Sequence, residues 1–140
     1  MKSMIAAVCF VVALFQWTVY AAPEDGLEYI KKFPGFADCA KEHGITETTV
    51  EKTYEKVLAM TDKHAQGCID ACYFKKSEIM KDGKINLDKA KEIIESVHGQ
   101  HADIKEKHIN MAKECTEKVK DETDECNVAG KYTACFLGGH

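Results

Sequence analysis

Two cysteines, Cys68 and Cys72, stand one helical turn apart in the stretch Gln66-Gly67-Cys68-Ile69-Asp70-Ala71-Cys72-Tyr73-Phe74. On a helix such a pair shares one face, with Cβ atoms about 5–6 Å apart. A disulfide needs Cβ atoms about 3.5–4.5 Å apart, so the two are poorly placed to bond each other. Each must reach a different part of the chain, and a helix tied in two directions becomes the hub of whatever forms around it.

Whether these thiols oxidise depends on the compartment. Lys2 precedes an apolar run over residues 5–15, followed by Gln16-Trp17-Thr18-Val19-Tyr20-Ala21-Ala22 and Pro23. A charged start, a short apolar core and small residues before a cut describe a secretory signal peptide over residues 1–22. The run is shorter than the ~20 residues needed to span a bilayer. Cleavage after Ala21 or Ala22 removes Cys9 and leaves six cysteines: Cys39, Cys68, Cys72, Cys115, Cys126 and Cys135. An even number in an exported chain predicts three disulfides. Excluding the pairs 68–72 and 126–135, the latter on one helix, leaves ten of the fifteen pairings open.

Residues 23–140 form one domain by length. Beyond residue 22 there are 18 lysines, no arginine and 23 acidic residues, a net charge of −5 with the histidines neutral. The missing arginines and interspersed charges argue against nucleic acid as a partner. Helical periodicity predicts an all-α fold of six helices. The first covers residues 24–44, kinked or broken at Pro34-Gly35 and stopped at Gly44. The second covers 47–60 behind the cap Thr46, and the hub runs over 62–80. After a turn at Asp82-Gly83-Lys84, Asn86 caps a fourth helix ending at Gly99. The fifth and sixth cover 102–120 and 125–137. No stretch alternates as a strand should, and there is no repeat or linker.

A domain of this size buries enough apolar surface without staples. Three bridges, each worth about 2–4 kcal/mol, serve either extracellular durability or an interior left unfilled. A cavity of about 300 Å³ costs roughly 7 kcal/mol, which the bridges would offset.

From Cys39 the intervals between successive cysteines are 28, 3, 42, 10 and 8 residues. All five together resemble the six-cysteine insect odorant-binding proteins, the pheromone- and general-odorant-binding family, over the whole chain after residue 22. The resemblance implies the pairings Cys39–Cys72, Cys68–Cys126 and Cys115–Cys135. It implies a compact six-helix domain around a central hydrophobic cavity, and a secreted carrier of a small hydrophobic ligand (odorant, pheromone or similar semiochemical) through sensillum lymph or another extracellular fluid. Counted from the cysteines, the family's wall positions fall on Phe74, Ile79, Ile94, Ile109, Ala112, Thr116, Tyr132 and Phe136, with Phe33 as a further match. Ordinary core packing accounts for any one of these equally well. Tyr132 and Thr116 carry the set's hydroxyls and are the expected polar contacts, while Met60 and Met80 are adaptable gap-fillers. An odorant receptor is a further implied partner, and the implied state is a monomer or weak homodimer. A non-olfactory carrier, or a protein-binding member in haemolymph, saliva or reproductive secretions, shares the same pattern.

Departures from the family matter. Only five residues, 136–140, follow the last cysteine, enough for a small lid and too few for a tail that ejects ligand. His98, His101 and His108 cluster in sequence near two helices, read as surface residues with a pH switch as the alternative. No enzyme motif emerges: Asp70 has no neighbouring histidine, and Ser77 and Ser96 sit in no nucleophile elbow. His64, Cys68 and Cys72 have metal-ligand spacing, but disulfides are the better use of those thiols. No cofactor and no metal is expected.

Overall fold

The computed structural model describes residues 23–137, so the signal-peptide reading and the last three residues of the expected 136–140 lid lie outside the described residues. These contain seven helices, not six, and one small hairpin. They are α1 (Pro23–Lys32), α2 (Phe36–Glu42), α3 (Val50–Leu58), α4 (Lys63–Lys76), β1 (Met80–Lys81), β2 (Lys84–Ile85), α5 (Leu87–His98), α6 (Ala102–Lys118) and α7 (Glu125–Phe136). No described helix is long and apolar enough to cross a membrane.

The extra helix arises at Pro34-Gly35. Proline drives the residue before it out of helical conformation, and Gly35 takes φ 120°, which only glycine adopts easily. The chain therefore breaks rather than bends, and α2 restarts in a new direction. At the far end of α2 the amide of Ile45 donates to the Ala40 carbonyl and that of Gly44 to Lys41, both at 3.0 Å. With Gly44 at φ 81° this is a Schellman stop.

Two boundaries differ from the periodicity. α3 is capped by Thr49, whose side chain accepts from the Lys52 amide, and not by Thr46. α4 ends at Lys76, four residues early, because Glu78 turns to φ 65° and frees Ile79 and Met80 to leave the helix. Met80 then pairs with Ile85 across Asp82-Gly83, both at positive φ as a two-residue hairpin turn requires. Two-residue strands are too short to leave an alternating pattern.

α4 is the centre. Gly67, Ile69, Asp70, Ala71 and Tyr73 are all buried, and at 100° per residue they occupy most of its circumference. The disulfides Cys39–Cys72 and Cys68–Cys126 tie it to α2 and α7, and Cys115–Cys135 ties α6 to α7. Its broadest contact is with α7. There Gly67 meets Gly130 almost backbone to backbone: a Cβ on Gly67 would fall 2.2 Å from the Cys126 carbonyl oxygen.

The core divides into two clusters. One gathers Ile30, Phe36, Ala40, Tyr54, Val57, Ile69 and Tyr73 from α1–α4. The other gathers Ala71, Met80, Ile94, Met111, Ala112, Val119, Val128, Tyr132 and Phe136. Phe74 packs against both.

Gly67→Ala forces α4 off α7, because backbone cannot yield as a side-chain tip can. The expected loss is about 2 kcal/mol or more, read as a lower thermal midpoint of the oxidised protein.

Candidate functional site

Between the two clusters lies a cavity of about 430 Å³. Six helices build it, α2 through Phe36 alone. α1 contributes Tyr29 and Ile30, α3 Tyr54 and Val57, α4 Asp70, Tyr73 and Phe74, α5 Ala90, Ile93 and Ile94, and α7 Tyr132, Thr133 and Phe136. Phe33 lines it from the link after α1 and Ile79 from the link after α4. The exposed residues Leu58, Lys63, His64 and Lys131 stand on its rim.

Its walls are largely aromatic, and the rings support one another. Phe36 meets Tyr54 and Tyr73 edge-on at 6.0 and 5.6 Å between centroids. Phe74 meets Tyr132 edge-on at 5.8 Å, and Tyr132 stacks on Phe136 at 6.2 Å. Such pairs add about 0.5–1.5 kcal/mol beyond area burial. Tyr73 donates its hydroxyl to the Phe33 carbonyl at 2.7 Å, with the Tyr29 carbonyl at 3.2 Å, latching the end of α1 to α4. Burial raises the pKa of the Tyr73 and Tyr132 phenols, so both stay neutral.

Behind this wall are two histidines. His98 and His108 are 5% and 1% exposed, so they are core residues rather than surface ones. Their rings meet edge-on at 4.7 Å, and His108 packs on Phe136 at 5.2 Å. The Tyr29 hydroxyl is 2.7 Å from His108 Nδ1. A Glu28 carboxylate oxygen lies 3.9 Å from His98 Nε2. His101, by contrast, is exposed at the start of α6.

Of the positions expected on the wall, Phe33, Phe74, Ile79, Ile94, Tyr132 and Phe136 border the cavity. Ile109, Ala112 and Thr116 do not. α6 stands one layer back, where Ala112 is fully buried and Ile109 packs on the second cluster. The Thr116 hydroxyl donates to the Ala112 carbonyl at 2.7 Å, within its own helix. Met60 and Met80 also pack into the clusters without reaching the cavity. Periodicity shows which face of a helix is buried, but not whether another helix intervenes. His64, Cys68 and Cys126 converge within 4.8 Å, but both sulfurs are spent in one disulfide.

The polar residue that periodicity passed over is Asp70. It is only 9% exposed, borders the cavity, and makes no ion pair among the described residues. Desolvation raises its pKa from 3.8 to about 7, against a smaller lowering by the nearby Thr133 hydroxyl. The available signal was a carboxylate between two cysteines on the helix already assigned to the centre.

The family model described as the PBP/GOBP family matches residues 27–138. The chain is 28% identical over 100 residues to general odorant-binding protein 19d of Drosophila melanogaster, a match covering 71% of this chain and 65% of that protein. The chain thus spans just under two thirds of that relative's length. No solved structure matches.

Asp70 makes stability depend on pH in a defined sense. Its folded pKa is raised above the unfolded value, so the folded state holds the extra proton between pH 3.8 and about 7. Stability is therefore full below this window and falls as pH rises through it. Asp70→Asn removes the effect. The variant should be more stable than the parent by roughly 2–4 kcal/mol at pH 8 and about equal at pH 4, measured by urea denaturation at both.

Proposed function

The chain belongs to the PBP/GOBP family, and from that membership and its cavity we propose that it is a secreted carrier which takes up a small apolar molecule, an odorant, pheromone or similar semiochemical, and moves it through aqueous fluid. The supporting observation is the 430 Å³ space between two packed clusters. A sealed, empty void of this volume would cost about 10 kcal/mol at ~24 cal/mol per Å³, and the exposed rim lowers that figure by admitting water. A chain that cross-links three pairs of elements around it has retained the space for use.

Transfer of an apolar chain into the cavity gains about 0.8 kcal/mol per methylene. Affinity therefore rises with chain length until the volume is filled, then falls. The proposed wall is Phe33, Phe74, Ile79, Ile94, Tyr132 and Phe136, joined by Tyr54, Tyr73 and Ile93. Tyr132 brings a neutral phenol to this surface. The chemistry required is exclusion of water and shape matching, with no bond made or broken. The working state is the oxidised monomer or a weak homodimer, delivering ligand to a membrane receptor.

A fluorescent apolar probe tests this reading. It should bind the oxidised protein and be displaced by long-chain alcohols, aldehydes, esters or fatty acids, with affinity peaking at an intermediate length. Ala90→Phe, which places a ring in the cavity from α5, should weaken probe binding at least tenfold with helicity unchanged by circular dichroism. An oxidised, folded protein that takes up neither probe nor competitor ends the carrier reading.

A further inference from the structure

Apolar walls hold an oily chain but do not discriminate its head group; buried polar groups do. The cavity has one place where two such groups meet from facing helices. Asp70 on α4 is more than nine-tenths buried. Thr133 on α7 borders the same space, and its Oγ1 is buried, close to Asp70, but completes no well-formed hydrogen bond. Both helices are locked together there by Cys68–Cys126 and by the Gly67 contact, so neither group can withdraw to solvent.

We propose that Asp70 and Thr133 form a polar subsite that receives a hydrogen-bond-donating head group, the hydroxyl of an apolar alcohol, and so sets the ligand class within the carrier reading on which this rests. An ionised carboxylate offers only acceptors. It is well matched to a ligand O–H, is left unsatisfied by an ether or ester, and repels a carboxylate. An unpaired buried polar group carries its full desolvation penalty, which makes the acceptor-only ligand the disfavoured one. Once protonated, Asp70 has a donor of its own and an ether oxygen becomes acceptable. Selection for the hydroxyl should therefore be strong when Asp70 is charged and weak when it is neutral.

The other titratable groups around the cavity are distinguishable from Asp70. Lys63, His64 and Lys131 stand on the exposed rim, with His64 Nε2 3.1 Å from Asp124 and Lys131 paired to Glu122. Tyr29, Tyr54, Tyr73 and Tyr132 line the interior. Substitution at Asp70 separates its contribution from that of every one of these groups.

The experiment displaces the apolar probe from the oxidised full chain with a fatty alcohol, its methyl ether and the matching fatty acid, at pH 8 and pH 5.5. The alcohol should bind at least tenfold tighter than the ether at pH 8, with that ratio falling at least fivefold at pH 5.5, and the acid should be weakest at pH 8. Asp70→Asn, which carries donor and acceptor at every pH, should abolish the pH change. Thr133→Val should lower the alcohol preference at pH 8 while keeping the fold. If all three compounds compete equally, or the pH change persists in Asp70→Asn, the subsite is overturned while the carrier reading stands. If the probe itself does not bind, both fail.

Discussion

The near-contact of two backbones at Gly67 and Gly130 governs the rest of this structure. With no side chain between them, α4 and α7 cross closely enough that any Cβ on Gly67 would strike the Cys126 carbonyl. The Cys68–Cys126 bridge closes the same crossing covalently. From this fixed pair, Asp70, Tyr73 and Phe74 project from one helix and Tyr132, Thr133 and Phe136 from the other, all onto the same space. The remaining helices pack outward from that pair, α1 to α3 on one cluster and α5 and α6 on the other. The cavity is what separates them.

A void of this size persists because its walls are stiff. Aromatic side chains have few rotamers and here are held by neighbouring rings, edge-on, tilted or stacked, from Phe36 through Tyr73 and Phe74 to Tyr132 and Phe136. Collapse would require rings to abandon these contacts together. His98 and His108 reinforce the wall from behind, filling the layer against Tyr29 and Phe136. Two buried imidazoles at that position are packing residues whose polar edges are partly met by the Tyr29 hydroxyl.

The all-α class and the central role of the cysteine-bearing helix were legible because both rest on local rules: helical periodicity, caps such as Asn86, and the geometry of an i, i+4 pair. Where the reading fell short, long-range packing made the difference. Proline and glycine at 34–35 announce a disruption, but whether the chain kinks or restarts depends on what Phe36 can bury against. The early end of α4 is decided by pairing between Met80 and Ile85. Ile109, Ala112 and Thr116 share one face of their helix, yet α6 stands behind the wall, a fact no periodicity encodes. Asp70 was visible as a residue and silent as a site, because burial of a carboxylate is a property of the assembled core.

The sulfur bridges join α2, α4, α6 and α7 and leave α1, α3 and α5 without a covalent tie. Among those three, α1 is fastened by individual polar contacts: Tyr73 to the carbonyls at its end, Tyr29 to His108, and Lys32 to the Ser96 carbonyl. Each such bond contributes on the order of 1 kcal/mol net, far less than unfolding the domain. Displacing α1 therefore exposes the interior without breaking any cross-link, at the cost of these bonds and of the apolar packing of Leu27, Tyr29 and Ile30. The same shell that is rigid enough to stay hollow thus has one wall that no sulfur bridge holds in place.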